Sequence, residues 1–354
     1  MQSEIQRRMV ETQFAYAPTL TQQAGDLAAT LQAVDAKSTQ LSAALVEIYL
    51  TKDTATQPPV PTEPIMTEIS NTEIPFLLSL TPTPEPPRAT PTLGVEGWKS
   101  MPVVPTGVSE KMRALYDLGQ MMGNNPHAFS KVGDCNMMQP NFFSNFDEDV
   151  YNLGEYSYLL PAIQYFAGSF NRVSRAAKDG LSANAALAVL WNDWKDCGTM
   201  ETPLDCELRI QRPSFAIISV GTNDANGFAP FETTLRRVIE VTIGHGVVPI
   251  LTTKADNVEG DDSINATIAK MAYEYEIPLW NFWLAVQPLP DHGLRSLEHL
   301  TYGDFVVVTD FSPDNLQYAY NIRNLTALQV LDVVWKGVTA ESPPVSQQGS
   351  QQTP

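Results

Sequence analysis

The sequence predicts an α/β fold, a parallel sheet with helices covering both faces. Three observations predict it. Strand-like and helical hydrophobic periods alternate from about residue 106 to residue 337, and that alternation implies right-handed βαβ units. Residues 214–220 read SFAIISV. Every one is small or apolar, as in a strand buried on both faces. Cys135, Gly180, Asn223 and His299 fall just past strand ends or in a late loop, and parallel sheets bind their ligands beyond the carboxyl ends of the strands.

The elements follow in order. Ser109 is a candidate N-cap for a helix with Met112, Leu115, Tyr116, Gly119 and Met122 on one face. Residues 128–132 form the first strand and 170–177 the second. Gly180 and a helix over 182–190 come next. The buried strand 214–220 is followed by a helix over 231–243 and a strand over 247–252. Ile264, Ile268, Met271 and Tyr275 mark one helix face, and 277–282 the last strand. Ser312-Pro313-Asp314 reads as a cap with proline at the first helical position, opening a closing helix to about Trp335.

The flanks differ in composition. Within residues 1–50, Leu27, Leu31, Val34, Ser38, Leu41, Leu45 and Ile48 recur in steps of four and three. This is a short coiled-coil seam that would make a homo-oligomer, or else the face of a solitary amphipathic helix. Residues 51–105 are a Pro/Thr-rich linker or stalk (TQPPVPTEP, TPTPEPPRATPT) around one apolar island, IPFLLSL, at 74–80. The folded domain spans 106–337, and residues 338–354 form a polar tail without a core of their own.

Charge and cysteine content narrow the function. The 354 residues carry a net charge of -18, which argues against nucleic acid or an anionic membrane as partner. No run of about 18 apolar residues exists to span a bilayer, and the start, MQSEIQRRMVET, lacks the apolar region of a secretory signal. The Pro/Thr stalk nevertheless points to an extracytoplasmic setting, secreted or at the cell surface. Cys197 and Cys206 bracket a short polar loop and form either a disulfide or two separate thiols, leaving Cys135 the odd cysteine. Zinc-type spacing is absent. The acidic loop at 256–262 lacks a full calcium-ligand spacing and reads as a solvated loop. Trp191, Trp194, Trp280 and Trp283 serve core packing, or else a sugar platform.

Four blocks carry the chemistry: Gly133-Asp134-Cys135, then Gly180, then Gly221-Thr222-Asn223-Asp224, then Ser296-Leu297-Glu298-His299. Their order and spacing resemble the SGNH/GDSL hydrolase family over roughly residues 107–337. The resemblance implies a flavodoxin-like three-layer α/β/α fold and carboxylic ester hydrolysis without a cofactor, on a small-molecule or glycan ester such as an O-acetyl group. It puts Cys135 at the nucleophile position, His299 at that of the base, and Asn223 and Gly180, with the backbone N–H of Cys135, at the oxyanion hole. The sequence departs from the family twice, with Cys135 for its serine and Ser296 for its aspartate. A thiol can do the same acyl chemistry. Glu298, Asp291 or Asp304 could supply the missing acid. Three readings therefore stand side by side: a thiol-based acyl esterase, a degenerate domain that binds carbohydrate or another surface polymer, and a structural protein in which the stalk and coiled coil carry the biology. Asp134 and Asp224 are read as turn caps, and His127, His245 and His292 as structural or loop residues.

Overall fold

A computed structural model describes residues 96–340 apart from 226, 228 and 304–306. The N-terminal heptad seam, the stalk through residue 95, the 74–80 island, Asp304 and the tail after residue 340 lie outside the described residues. Four parallel strands form one sheet in the order β1 (Asn125–Gly133), β2 (Pro213–Ser219), β3 (Val248–Thr252), β4 (Leu279–Trp280). The helices are α1 (Glu110–Met121), α2 (Leu160–Tyr165), α3 (Ala183–Ala186), α4 (Pro203–Gln211), α5 (Phe231–Gly244), α6 (Ser263–Tyr275), α7 (Phe282–Val286) and α8 (Ala319–Thr339). Right-handed crossovers in one direction put α4, α5 and α6 side by side on one face, where Arg236 of α5 pairs with Glu274 of α6 at 2.8 Å. On the other face α1 meets α8, and Arg113 Nε donates to the Gly337 carbonyl at 2.8 Å. The architecture is a three-layer α/β/α sandwich of flavodoxin-like type.

Local sequence explains most of these elements. The Ser109 hydroxyl accepts from the Met112 amide, and Met112, Leu115, Tyr116 and Gly119 turn inward, while Met122 stays exposed. All seven residues of β2 are buried, which fits a central strand covered on both faces. Around the sheet, Phe129, Phe143, Phe146 and Phe170 pack mostly edge to face, with centroids 5.2–5.7 Å apart, the separation at which ring quadrupoles attract.

Four expectations are corrected. The strand over 170–177 is reduced to one parallel bridge, Ala177 with Gly133, on the side of β1 away from β2. There a flavodoxin-like sheet has its second strand. Side chains replace the missing ladder: Arg172 donates to the Phe129 carbonyl at 2.7 Å, and both Arg172 and the Arg175 amide bond to the buried Glu207. The helix over 182–190 stops at Ala186, because Ala188 is extended before a 3₁₀ turn at Val189–Trp191. The last strand ends at Trp280, where the Asn281 side chain caps α7 by accepting from the Leu284 amide. The closing helix begins at Ala319 rather than at Ser312. Ser312 opens an isolated turn, and the Ala319 amide takes the Thr301 hydroxyl instead.

Two further features belong to the core. Trp98, in the segment whose composition reads as linker, is only 1% exposed. Asn281 Nδ2 donates to the Trp98 and Met101 carbonyls at 2.9 and 2.8 Å, stitching that segment to the end of β4. Cys197 and Cys206 form a disulfide that closes the loop onto α4, worth about 2–3 kcal/mol in the chain-entropy account. Trp280 is buried, Trp283 packs on Trp98, and Trp191 and Trp194 lie nearer the surface with Lys178 and Arg175 over their rings.

Candidate active site

The carboxyl end of β1 sets the site. Gly133 has φ +155°, and a Cβ there would lie 2.2 Å from the Ser219 carbonyl oxygen of β2. Only glycine brings the two strands that close before the chain turns. Asp134 then caps a 3₁₀ turn, Cys135–Met137, its Oδ1 accepting from the Asn136 amide at 2.9 Å. Cys135 is therefore the first residue of a tight turn at the sheet edge, a free thiol, half-buried. Burial, with Asp134 and Asp179 nearby, pushes the thiol up to about 11, and Arg323 opposes that rise.

The second and third blocks meet the first. Gly180 has φ +73°, the left-handed turn that leads into α3. Gly221 has φ +131°, with Ile264 2.7 Å from a would-be Cβ, and opens the 3₁₀ turn Thr222–Asp224. From that turn Asn223 Nδ2 reaches Asp134 Oδ2 at 3.4 Å and the Leu181 carbonyl at 3.5 Å. Both contacts are long for hydrogen bonds, so the amide is only loosely engaged. Asp224 instead accepts from the Ala183 amide at 3.0 and 3.1 Å, capping α3. Asp134 and Asp224 thus serve as caps, and burial raises both carboxyls.

The fourth block is a small loop closed by an antiparallel bridge between Leu294 and Leu300. His299 is exposed, and its backbone carbonyl accepts from the Arg295 amide. Its Nδ1 lies 2.9 Å from the Ser296 hydroxyl, while Glu298 is 3.9 Å away. Among the described residues, the group within hydrogen-bond distance of this ring nitrogen is therefore Ser296 itself, with Glu298 farther out. Thr301 ties this loop to the start of α8 through the Ala319 and Tyr320 amides. Among the described residues no hydrogen bond joins Cys135 Sγ to His299. The other histidines sit in local contacts: His127 on Tyr165, His245 beside Asp205, and His292 with the Gln287 carbonyl.

A small polar pocket opens beside the Cys135 turn. Asp134, Asn136, Ser219, Thr222, Asp256, Glu298 and Arg323 are among its walls. Sequence reasoning missed several of these. Arg323 is 2% exposed, with its guanidinium over Phe142, Trp280 and Phe282. Tyr320 donates to Asn136 Oδ1 at 2.9 Å. The buried Lys254 pairs with Asp256 and Glu259, and Thr222 donates to Asp256. The acidic loop thus has Lys254 as the counter-ion of Asp256 and Glu259, and Lys99 as that of Asp262. One signal for Arg323 was present in the sequence. It is a cation in the first two turns of Ala319–Thr339, far from Lys336 in the last turn, with Ala319, Tyr320 and Ala327 at helical spacing, a position where burial demands a polar partner.

No protein-family model matches the chain, and no curated protein matches it. Among solved structures, a GDSL-like lipase from Bacteroides thetaiotaomicron is similar over 62% of this chain and 97% of that one, at 13% identity and a TM-score of 0.35.

Proposed function

We propose that this domain hydrolyses an acyl ester, an O-acetyl group on a glycan or a small carboxylic ester, in the manner of the SGNH/GDSL hydrolases. Cys135 Sγ attacks the carbonyl carbon, and its proton passes to His299. The tetrahedral oxyanion is held by Asn223 and by the backbone amides of Gly180 and Cys135. The alcohol leaves with the proton from His299, and water then cleaves the thioester. Each oxyanion donor is worth about 2.7–4 kcal/mol.

The observation that carries this reading is the Ser296–His299 contact of 2.9 Å at Nδ1. In the tautomer with the proton on Nδ1, the Ser296 hydroxyl accepts as an orienting acid would and leaves Nε2 to serve the nucleophile. The long contacts of Asn223 Nδ2 add support, since a weakly engaged donor is available to an oxyanion. The setting we propose is extracytoplasmic, supported by the Pro/Thr stalk and by the Cys197–Cys206 disulfide.

A second reading is favoured by the thiol itself. With its proton held up to about 11, Cys135 has only about one part in 10⁴ as thiolate at neutral pH, which suits a domain that binds a surface glycan without turning it over. Hydrolysis of p-nitrophenyl acetate by the full chain separates the two, measured beside Cys135→Ala and Cys135→Ser. A rate abolished by Cys135→Ala supports the thiol esterase. Equal background rates in all three proteins sink it in favour of the binding domain.

A further inference from the structure

We propose that Arg323 is a positioning residue for Cys135, pinning the turn that carries the thiol and supplying the positive charge its thiolate faces. This rests on the reading of Cys135 as nucleophile. The geometry is specific. Arg323 Nε donates to the Asn136 carbonyl at 3.2 Å, and Nη2 donates to Ser219 Oγ at 2.9 Å and lies 3.1 Å from Met137 Sδ. One guanidinium thus grips two residues of the turn Cys135–Met137 and the last residue of β2. Its plane lies among three rings, with centroids 4.9–5.3 Å away, so the cation is held both by hydrogen bonds and by ring faces.

A buried arginine needs a reason, because desolvating the charge is costly. Among the described ion pairs no carboxylate lies within salt-bridge distance of Arg323. Its bonds go to neutral oxygens and a thioether. Its positive charge is therefore uncancelled by direct contact, in the wall of the pocket beside Cys135. Four charged or titratable groups act on the thiol electrostatically. Asp134 lies on its own turn, Asp179 comes from the loop before α3, and Tyr320 and Arg323 come from α8. Arg323 is the cation among these four. Burial lowers it only to about 10, so it stays protonated at neutral pH. A lone positive charge against acidic neighbours is what a thiolate nucleophile requires.

The test reads the thiol and needs no substrate. Cys135 is the free cysteine beside a disulfide, so the pH profile of iodoacetamide alkylation of the folded full chain reports it alone. Arg323→Met is expected to move the profile about one pH unit upward, a roughly tenfold slower reaction at a given pH. Arg323→Lys keeps the charge, loses the fork, and is expected to move it about half a unit. Unfolding would expose the thiol and move the profile downward, so it is not mistaken for the effect. If Arg323→Met does not fold, Arg323→Lys carries the test. An unchanged profile in a folded variant overturns the proposal. A shift in alkylation without any ester hydrolysis in the wild type would uphold the role of Arg323 at the thiol and count against the esterase reading alone.

Discussion

Replacing Glu207 by alanine should destabilise the domain more than any surface substitution, and the structure says by how much. Glu207 is fully buried on α4. One carboxylate oxygen accepts from Ser130 Oγ at 2.7 Å and Arg172 Nη1 at 2.5 Å, the other from the Arg175 amide at 2.9 Å. These bonds hold residues 172–175 against β1 where the second strand is missing. Breaking a buried charged pair from one side costs about 3–5 kcal/mol. The Arg172 and Arg175 side chains are 18% and 14% exposed, so each reaches some water and the lower half of that range applies, about 3–4 kcal/mol. At about 2–4 °C per kcal/mol for a domain of this size, Tm should fall by about 6–16 °C. Glu207→Gln keeps the shape and one acceptor oxygen, and should lose about half as much. Thermal unfolding of the full chain followed by circular dichroism reads both variants. A loss under about 3 °C in Glu207→Ala, or a larger loss in Glu207→Gln, would refute the reasoning that this carboxylate replaces a strand ladder.

Gly133→Ala should cost at least about 3 kcal/mol, read as a fall in Tm, because its Cβ would lie 2.2 Å from the Ser219 carbonyl. Gly180→Ala, whose nearest obstacle is Trp191 at 3.8 Å, should cost only the left-handed penalty of about 1–2 kcal/mol. Ser296→Ala should slow p-nitrophenyl acetate hydrolysis by roughly 10–100-fold, the worth of one hydrogen bond to a charged group, and Ser296→Asp should recover it. No recovery would separate Ser296 from the orientation of His299. For pH, the folded Cys135 holds its proton more tightly than the ordinary thiol near 9. That stabilising contribution is complete below about 9 and is lost as pH rises through about 11. Wild-type Tm should therefore fall faster than that of Cys135→Ala across this window, and parallel curves would contradict the burial of the thiol.

What the sequence determined by itself was whatever depends on neighbours a few residues away. β2 was legible because seven buried positions in a row leave a continuous run of small and apolar residues, and α1 because Ser109 caps it and its inward residues recur at helical spacing. The parallel sheet followed from their alternation, and the three turns bearing Gly133, Gly180 and Gly221 from glycines that the backbone requires. The tertiary structure decided the rest. Residues 170–177 have strand-like composition, yet Glu207, more than thirty positions later, draws their arginines into side-chain bonds in place of a ladder. The closing helix waits until Ala319 because Thr301 takes its first amide. Ser296 meets His299 through the folding of one small loop, and Arg323 reaches the Cys135 turn only because α8 lies beneath it. Local periodicity writes the strands and helices. The partner that satisfies a buried charge is chosen by which distant segment the packing brings within about 3 Å, and no local pattern encodes that.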